Sequence, residues 1–334
     1  MWKLELKKEV ENEYLDKMLP GLVKRVQRWQ FGSEGIRYES FRKRLLPDWE
    51  ENDPQDTRTL KRLLTDNPKG AYTLNNQLMS EFINDYKESE LAAKERPQKY
   101  KQKLNYLEKI FDYEGQLSKS KSKSYWLAEL IGHNTCTYCN RQYTFTVSGK
   151  NDSERITRPA FDHWFPQSLF PLLSLNIYNL IPSCTVCNSG AKGDTILPLD
   201  KYVHPYLQVD DDPKFKFVPQ VADKDDRSWS VLLKRNAREH PEVDNMIKEF
   251  ALDRIYEMHG DLEVKELMDF AKAYNNTYLL HLFDQLKTDL GAINYSQEDV
   301  YRMLFGTEME AANYLDRPLS KLKHDILEYL NIIK

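Results

Sequence analysis

Apolar side chains recur three or four positions apart along two long parts of the chain, the spacing of one face of an α-helix. The first part runs from the start to about residue 117, and the second from about residue 237 to the end. Both are therefore predicted to be helical. The positions that carry the pattern include Leu74, Leu78, Phe82, Tyr100, Leu104, Leu107, Phe111, Leu267, Phe270, Leu319, Leu322, Ile326 and Leu330.

The stretch between these helical parts differs in composition and lacks the helical spacing of apolar residues. Alternating lysine and serine at 118–124 predicts a flexible linker or a phosphate-contacting arm. Aromatic and β-branched residues predict a strand at 143–147, and segments 214–218 and 229–233 are expected to pair as strands. We expect a helical region over 1–124 that ends in the Lys/Ser linker, a distinct module over 125–205, and a C-terminal region over 206–334 that is briefly β-like and then helical.

The composition changes this picture little but narrows the class of protein. Of 334 residues, 40% are hydrophobic and 30% charged, which allows a packed core and excludes global disorder. No apolar run approaches the ~20 residues that span a bilayer, and the N-terminus mixes charges from the start. These features predict a soluble, cytoplasmic protein with no membrane partner. Because the net charge is −4, any nucleic-acid affinity must come from local basic patches.

All four cysteines fall in two Cys-x-x-Cys pairs. Each pair can place two thiolates on one ion, and two pairs complete a closed, tetrahedral site. A closed site leaves no position for substrate, so a structural zinc is the favoured hypothesis. Redox pairs, unconnected thiols and a module that only binds zinc and a partner remain alternatives. The four residues are Cys136, Cys139, Cys184 and Cys187.

A fixed order of polar residues accompanies the cysteines. Between the pairs come Asp162-His163, Pro166 two positions beyond Trp164, and then Asn179-Leu180; directly after Cys187 come Asn188 and, further on, Lys192. This order resembles the zinc-stapled HNH endonucleases, also called His-Me finger or ββα-metal nucleases. The resemblance implies hydrolysis of DNA phosphodiester bonds that leaves 5′-phosphate and 3′-hydroxyl ends. The expected fold class is α+β, mostly α, with a small ββα-metal HNH core stapled by a four-cysteine zinc site between N- and C-terminal helical blocks.

The same resemblance assigns roles by position. His163 matches the general base, and Asp162 and Asn188 match ligands of a catalytic ion, with Asn188 standing where the family often has histidine. Oxygen ligands favour Mg²⁺ or Mn²⁺. Asn179 matches the residue that holds the loop and orients the histidine. An imidazole with an ordinary pKa of ~6.5 would give a rate that rises with pH through that titration.

Basic residues surround the expected site. Segment 118–158 carries more lysine and arginine than aspartate and glutamate, which predicts a local phosphate-attracting surface, although ordinary solvated charges would look the same. Arg141, Arg158 and Lys192 are the candidate nucleic-acid contacts. No motif that reads a particular base sequence stands out, so we expect cleavage with little sequence preference.

The chain also resembles, more loosely, the HNH subunits of Septu-type bacterial ATPase–nuclease anti-phage systems. The matching segments are 170–175, 179–184 and 317–322. This second resemblance implies an ABC-like ATPase as a partner subunit, and the chain itself has no P-loop motif. Two other readings stay open. One is a zinc-stapled module that binds DNA or protein without cutting, and the other is an RNA-directed nuclease or toxin.

Overall fold

A computed structural model describes residues 1–28, 35–46, 56–91, 97–222, 228–274 and 296–333, together with Tyr278, His281 and Gln285. None of the helices in these ranges combines the length and the apolar character that crossing a bilayer requires. The described chain is rich in helix and carries two small two-stranded antiparallel sheets. The predicted fold class, α+β and mostly α, is therefore confirmed.

The N-terminal region is a group of helices that bury one face each. In the first helix the buried residues Tyr14, Met18, Leu22 and Val26 recur every four positions, so they form one stripe. This helix contacts the third and the fifth, and the second packs on the fourth. The helices are α1 (Lys8–Gln27), α2 (Gly35–Leu45), α3 (Arg58–Thr65), α4 (Pro68–Phe82) and α5 (Gln98–Phe111).

The Lys/Ser run at 118–124 is partly helical and not the flexible coil that its composition predicts. Helical backbone covers Glu114–Ser118, and α6 (Lys121–Ile131) begins within the Lys/Ser run. The physical reason is packing further along α6: the Trp126 ring stacks on Tyr14 of α1 with centroids 6.0 Å apart, and its indole N–H donates to Glu13. Tertiary contacts therefore extend the helix into a sequence whose composition alone favours a coil.

The middle of the chain carries the first sheet. Strand β1 (Ala160–His163) pairs antiparallel with β2 (Leu180–Ser183), so that His163 faces Leu180 across the ladder. A buried turn, Pro171–Leu173, lies in the connection between the two strands. A short helical segment, Val186–Lys192, follows β2.

The predicted strand at 143–147 is wrong. The chain there makes only isolated bridges, from Tyr143 to Thr135 and from Val147 to Thr157. Hydrogen bonds from Cys136 N to Gln142 O and from Thr144 N to Asn134 O wrap this segment around the first cysteine pair. The turn that the pair requires interrupts the regular ladder.

The C-terminal region starts with the predicted hairpin and continues as helices. Strand β3 (Phe215–Val221) pairs antiparallel with β4 (Trp229–Arg235). The helix Ser320–Tyr329 packs on β3, and the helix Leu252–Glu257 contacts β4. The helices are α7 (Pro241–Glu249), α8 (Leu252–Glu257), α9 (Lys265–Ala273), α10 (Gln297–Phe305) and α11 (Ser320–Tyr329).

Hydrogen bonds tie the middle segment to the helices on its N-terminal side. The Tyr14 hydroxyl donates to Leu175 O across 2.7 Å, and the Asn176 side chain donates to Leu63 O across 3.0 Å. The turn Pro171–Leu173 contacts α3, α4 and α5. Buried apolar residues from all three parts of the chain form one hydrophobic cluster. The first sheet is thus held from outside as well as by its own short ladder.

Candidate functional site

The four cysteines form one buried cluster whose sulfur atoms all lie within 4.8 Å of one another. Thiolates at about 2.3 Å from one Zn²⁺ stand roughly 3.8 Å apart, so this spacing fits a tetrahedral ion. Burial raises the pKa of the Cys136 thiol, which disfavours its thiolate form. A bound cation would offset the charge of four thiolates held this close together. The predicted meeting of the two pairs is confirmed, and the cluster could hold a metal such as zinc. Its members are Cys136, Cys139, Cys184 and Cys187.

The first cysteine pair is held by the C-terminal region. Asn140 closes the turn in the left-handed conformation, with φ of 48°, and its backbone N–H donates to Cys136 O across 2.7 Å. Its side chain donates to Tyr314 O, and its carbonyl accepts from Leu319 N. The hydroxyl of Tyr256 donates to Cys139 O. The cysteine cluster therefore joins the first sheet to the C-terminal helices.

His163 is the last residue of β1, and its ring is fixed by the main chain. Nε2 lies 2.9 Å from the carbonyl oxygen of Ser174. A carbonyl only accepts hydrogen bonds, so the ring proton lies on Nε2 and the lone pair on Nδ1. Burial, with a smaller effect of the Lys192 charge, lowers the pKa of His163 to about 4. The imidazole is therefore neutral near pH 7.

Asp162 is enclosed beside His163, with 2% of its surface exposed. The Tyr138 hydroxyl donates to Oδ2 across 2.5 Å, and the Lys192 ammonium lies 3.3 Å from Oδ1. Burial raises the pKa of Asp162, while Lys192 and Tyr138 act in the opposite direction. The carboxylate thus has two donors from outside its own strand.

Lys192, a candidate phosphate contact, is buried in the structure. The whole side chain is buried, and its ammonium donates to the carbonyl oxygen of His163 across 2.6 Å as well as facing Asp162. An ammonium enclosed in this way neutralises an internal carboxylate and is not presented to a ligand outside.

Asn179 binds the connection between β1 and β2. Its Oδ1 accepts from Phe165 N across 2.7 Å, and its Nδ2 donates to Phe165 O and to Leu173 O. Leu173 directly precedes Ser174, the residue whose carbonyl fixes His163. Asn179 therefore contacts both Phe165 and Leu173 in this connection and is linked to the imidazole through the backbone.

A cavity of about 460 Å³ opens beside this cluster. His163, Asp162, Asn188 and Arg158 all line it, so four of the predicted site residues share one space. Among the described residues, the Asn188 side chain has no hydrogen-bond partner and Arg158 has no carboxylate partner; the guanidinium donates only to Pro159 O. Arg141 does not line the cavity.

Two residues with side-chain oxygen atoms, Asp162 and Asn188, line this cavity. One carboxylate, Asp162, and one amide, Asn188, supply oxygen ligands of the kind that Mg²⁺ and Mn²⁺ prefer. The remaining coordination positions of such an ion would be open to water or a phosphate. Both oxygens of Asp162 already face donors, Tyr138 and Lys192, so an ion bound here would share this carboxylate with them.

Two residues that line the cavity, Asp194 and Tyr113, were not predicted from the sequence. Asp194, an exposed carboxylate just beyond the helical segment, stands close enough for its charge to raise the pKa of Asp162. Tyr113 comes from the N-terminal region, and its ring meets His163 edge to face with centroids 4.3 Å apart. Burial raises the pKa of Tyr113 to about 12. Asp194 lies next to the recognised motif, but no local signal connects Tyr113 to it.

Comparisons of this chain with protein-family models, with curated proteins and with solved structures find no match. What the site can do chemically therefore has to follow from the side chains around the cavity. They combine a neutral histidine, two oxygen ligands and a guanidinium, a set that can activate water and bind an anionic ester.

Proposed function

We propose that this protein is a metal-dependent HNH endonuclease that hydrolyses DNA phosphodiester bonds and leaves 5′-phosphate and 3′-hydroxyl ends. One observation carries the proposal: a neutral histidine, oriented by the Ser174 carbonyl, shares a cavity with Asp162, Asn188 and Arg158. The order of these residues along the sequence, framed by the two cysteine pairs, supports the same reading.

The histidine would act as the general base. Because the ring proton lies on Nε2, Nδ1 of His163 can accept the proton of an attacking water. Its low pKa keeps that nitrogen unprotonated at neutral pH. Enclosure of the ring also reduces its freedom to rotate away from the attacking water.

The other cavity residues would bind the ester. The guanidinium of Arg158 can pair with a non-bridging phosphate oxygen, a contact for which arginine is well suited. A divalent ion on Asp162 and Asn188 would neutralise charge on the phosphate and on the leaving oxygen. Lys192 and Tyr138 would keep Asp162 in place for that task.

We also propose a structural zinc on the four cysteines and, from the second resemblance, an ABC-like ATPase as the controlling partner in anti-phage defence. The cluster of free, buried thiols fits a reducing compartment such as the cytoplasm. In this reading the helical regions on both sides of the first sheet shape the DNA channel or bind the partner.

A plasmid-nicking assay tests the proposal. Zinc-loaded protein with Mg²⁺ or Mn²⁺ should nick DNA, EDTA should stop the reaction, and His163→Ala should reduce the rate about 10²- to 10⁴-fold. His281→Ala is the matched control, because His281 is exposed and does not line the cavity. Labelled RNA offered beside DNA separates the two substrates.

The outcomes discriminate between the functions. Cutting that survives His163→Ala would contradict the assigned base. DNA binding without cutting would favour a binding module, and preferential cutting of RNA would favour the RNA-directed alternative. Loss of zinc from the His163→Ala protein would make its inactivity uninformative, so metal content is measured on every sample.

A further inference from the structure

Tyr113 reaches the cavity from outside the cysteine-framed segment. Helix α5 ends at Phe111, and Asp112 turns the chain in the left-handed conformation with φ of 44°. Tyr113 then begins the turn that leads into Glu114–Ser118. The backbone thus changes direction at the point that brings this ring to His163.

The ring contact is specific in its geometry. The Tyr113 and His163 ring planes lie at 79° to each other with centroids 4.3 Å apart, an edge-to-face arrangement. The Ser174 carbonyl fixes the same imidazole through Nε2. The two contacts together restrict the orientation of the imidazole plane.

The hydroxyl of Tyr113 has no hydrogen-bond partner among the described residues. The two other tyrosine hydroxyls near this site are partnered, Tyr14 with Leu175 O and Tyr138 with Asp162. Tyr113 lines the cavity, and the charges of Arg158 and Asp162 both act on it. A phenol donor in this position is available to a ligand.

Tyr113 also lies at the boundary of two spaces. It lines the cavity beside His163 and a neighbouring groove that passes along Asn105, Glu108 and Glu114. A ligand that fills the cavity would meet this side chain before it reached the groove.

We propose that Tyr113 is a substrate-positioning residue, whose hydroxyl donates to a non-bridging phosphate oxygen opposite Arg158 while its ring holds the plane of His163. This inference rests on the proposed function, which it extends by adding a residue from the N-terminal helices to the site. The phosphate would then be bound by a guanidinium and a phenol that line the same cavity as the imidazole.

The test compares two variants that each lose one hydroxyl. Tyr113→Phe keeps the ring and should lower kcat/KM about ten- to a hundredfold, because a hydrogen bond to a charged group is lost. Its pH profile and thermal unfolding should match the wild type, since the hydroxyl has no partner within the described chain. Tyr329→Phe is the control: it removes an exposed hydroxyl from α11 that does not line the cavity, so it should leave both stability and kcat/KM unchanged.

A binding measurement separates this inference from the proposed function. The affinity of an oligonucleotide with Mn²⁺ is measured for His163→Ala with and without Tyr113→Phe. We expect weaker binding in the double variant. If the wild type cuts DNA and Tyr113→Phe changes kcat/KM by less than twofold, only the role of Tyr113 is overturned. Binding without cutting in the wild type overturns the proposed function, and the affinity pair still decides Tyr113. A wild type that neither binds nor cuts overturns both.

Discussion

Lys192 and Asp162 form an ion pair across 3.3 Å in which the side chains are 0% and 2% exposed. The same ammonium donates to the main-chain oxygen of His163. One lysine from the helical segment Val186–Lys192 therefore holds both the acidic side chain and the end of strand β1. It also supplies the charge that an enclosed carboxylate needs.

Lys192→Met should lower the free energy of unfolding by about 3–5 kcal/mol, because it leaves the Asp162 carboxylate buried without its cation. Urea denaturation measures the change. Lys150→Met, at an exposed lysine, should alter stability by less than about 0.5 kcal/mol. Adding Asp162→Asn to Lys192→Met should recover part of the loss. A single variant as stable as the wild type would contradict the structural role of this pair.

Cys136→Ser and Cys187→Ser should each lose the bound metal and unfold the region around the first sheet. The reason is that a structural zinc contributes on the order of 10 kcal/mol to folding. Elemental analysis and thermal unfolding measure the two effects. Thr185→Ala, an exposed change inside the second cysteine pair, should keep both properties. A serine variant with one zinc per chain and an unchanged Tm would rule out the shared site.

Asn179→Ala should cost about 1–3 kcal/mol for each buried group that it leaves unpaired, namely the Phe165 amide and the Phe165 and Leu173 carbonyls. It should also lower kcat, because the Ser174 carbonyl that fixes His163 loses its support. Asn75→Ala, at another buried asparagine, is the control for stability without an effect on kcat. Equal kcat values for the two variants would show that Asn179 does not support the position of His163.

The pH profile of cleavage should be flat between about pH 5.5 and 8, if His163 alone limits it. Burial lowers the pKa of this imidazole to about 4, so the base form already predominates throughout that range. The sequence-based expectation of a rise near pH 6.5 applies to an exposed histidine. Initial rates at fixed Mn²⁺ give the profile, and an inflection near pH 6.5 would mean that the ring is hydrated in solution.

Stability should fall as the pH drops below about 6.5, in part because of His204. Burial lowers the pKa of His204 in the folded protein to about 3, so the unfolded chain takes up a proton that the folded chain does not. The loss approaches about 1.4 kcal/mol per pH unit until the folded pKa is reached. Urea denaturation from pH 7 to 4 should show a smaller slope for His204→Gln, and an unchanged slope for the exposed His281→Gln.

The parts of the fold that the sequence predicted well are governed by local rules. The helical stripes in α4, α5 and α11, the β3–β4 hairpin and the meeting of the two cysteine pairs all follow from spacing along the chain. The order of Asp162, His163 and Asn188 likewise indicated residues that come to line one cavity.

In two segments the local preference and the tertiary packing disagree, and the packing determined the structure. Residues 121–124 became helical because Trp126 packs on Tyr14, and 143–147 lost its ladder because the first cysteine turn bends the chain.

By itself, the sequence determined the class of fold, the thiol cluster and the order of the polar residues around one histidine. Only the tertiary structure enclosed Lys192, lowered the pKa of His163 and brought Tyr113 to the imidazole. Burial and long-range contacts depend on what the rest of the chain packs against a residue, and no local pattern of side chains encodes that.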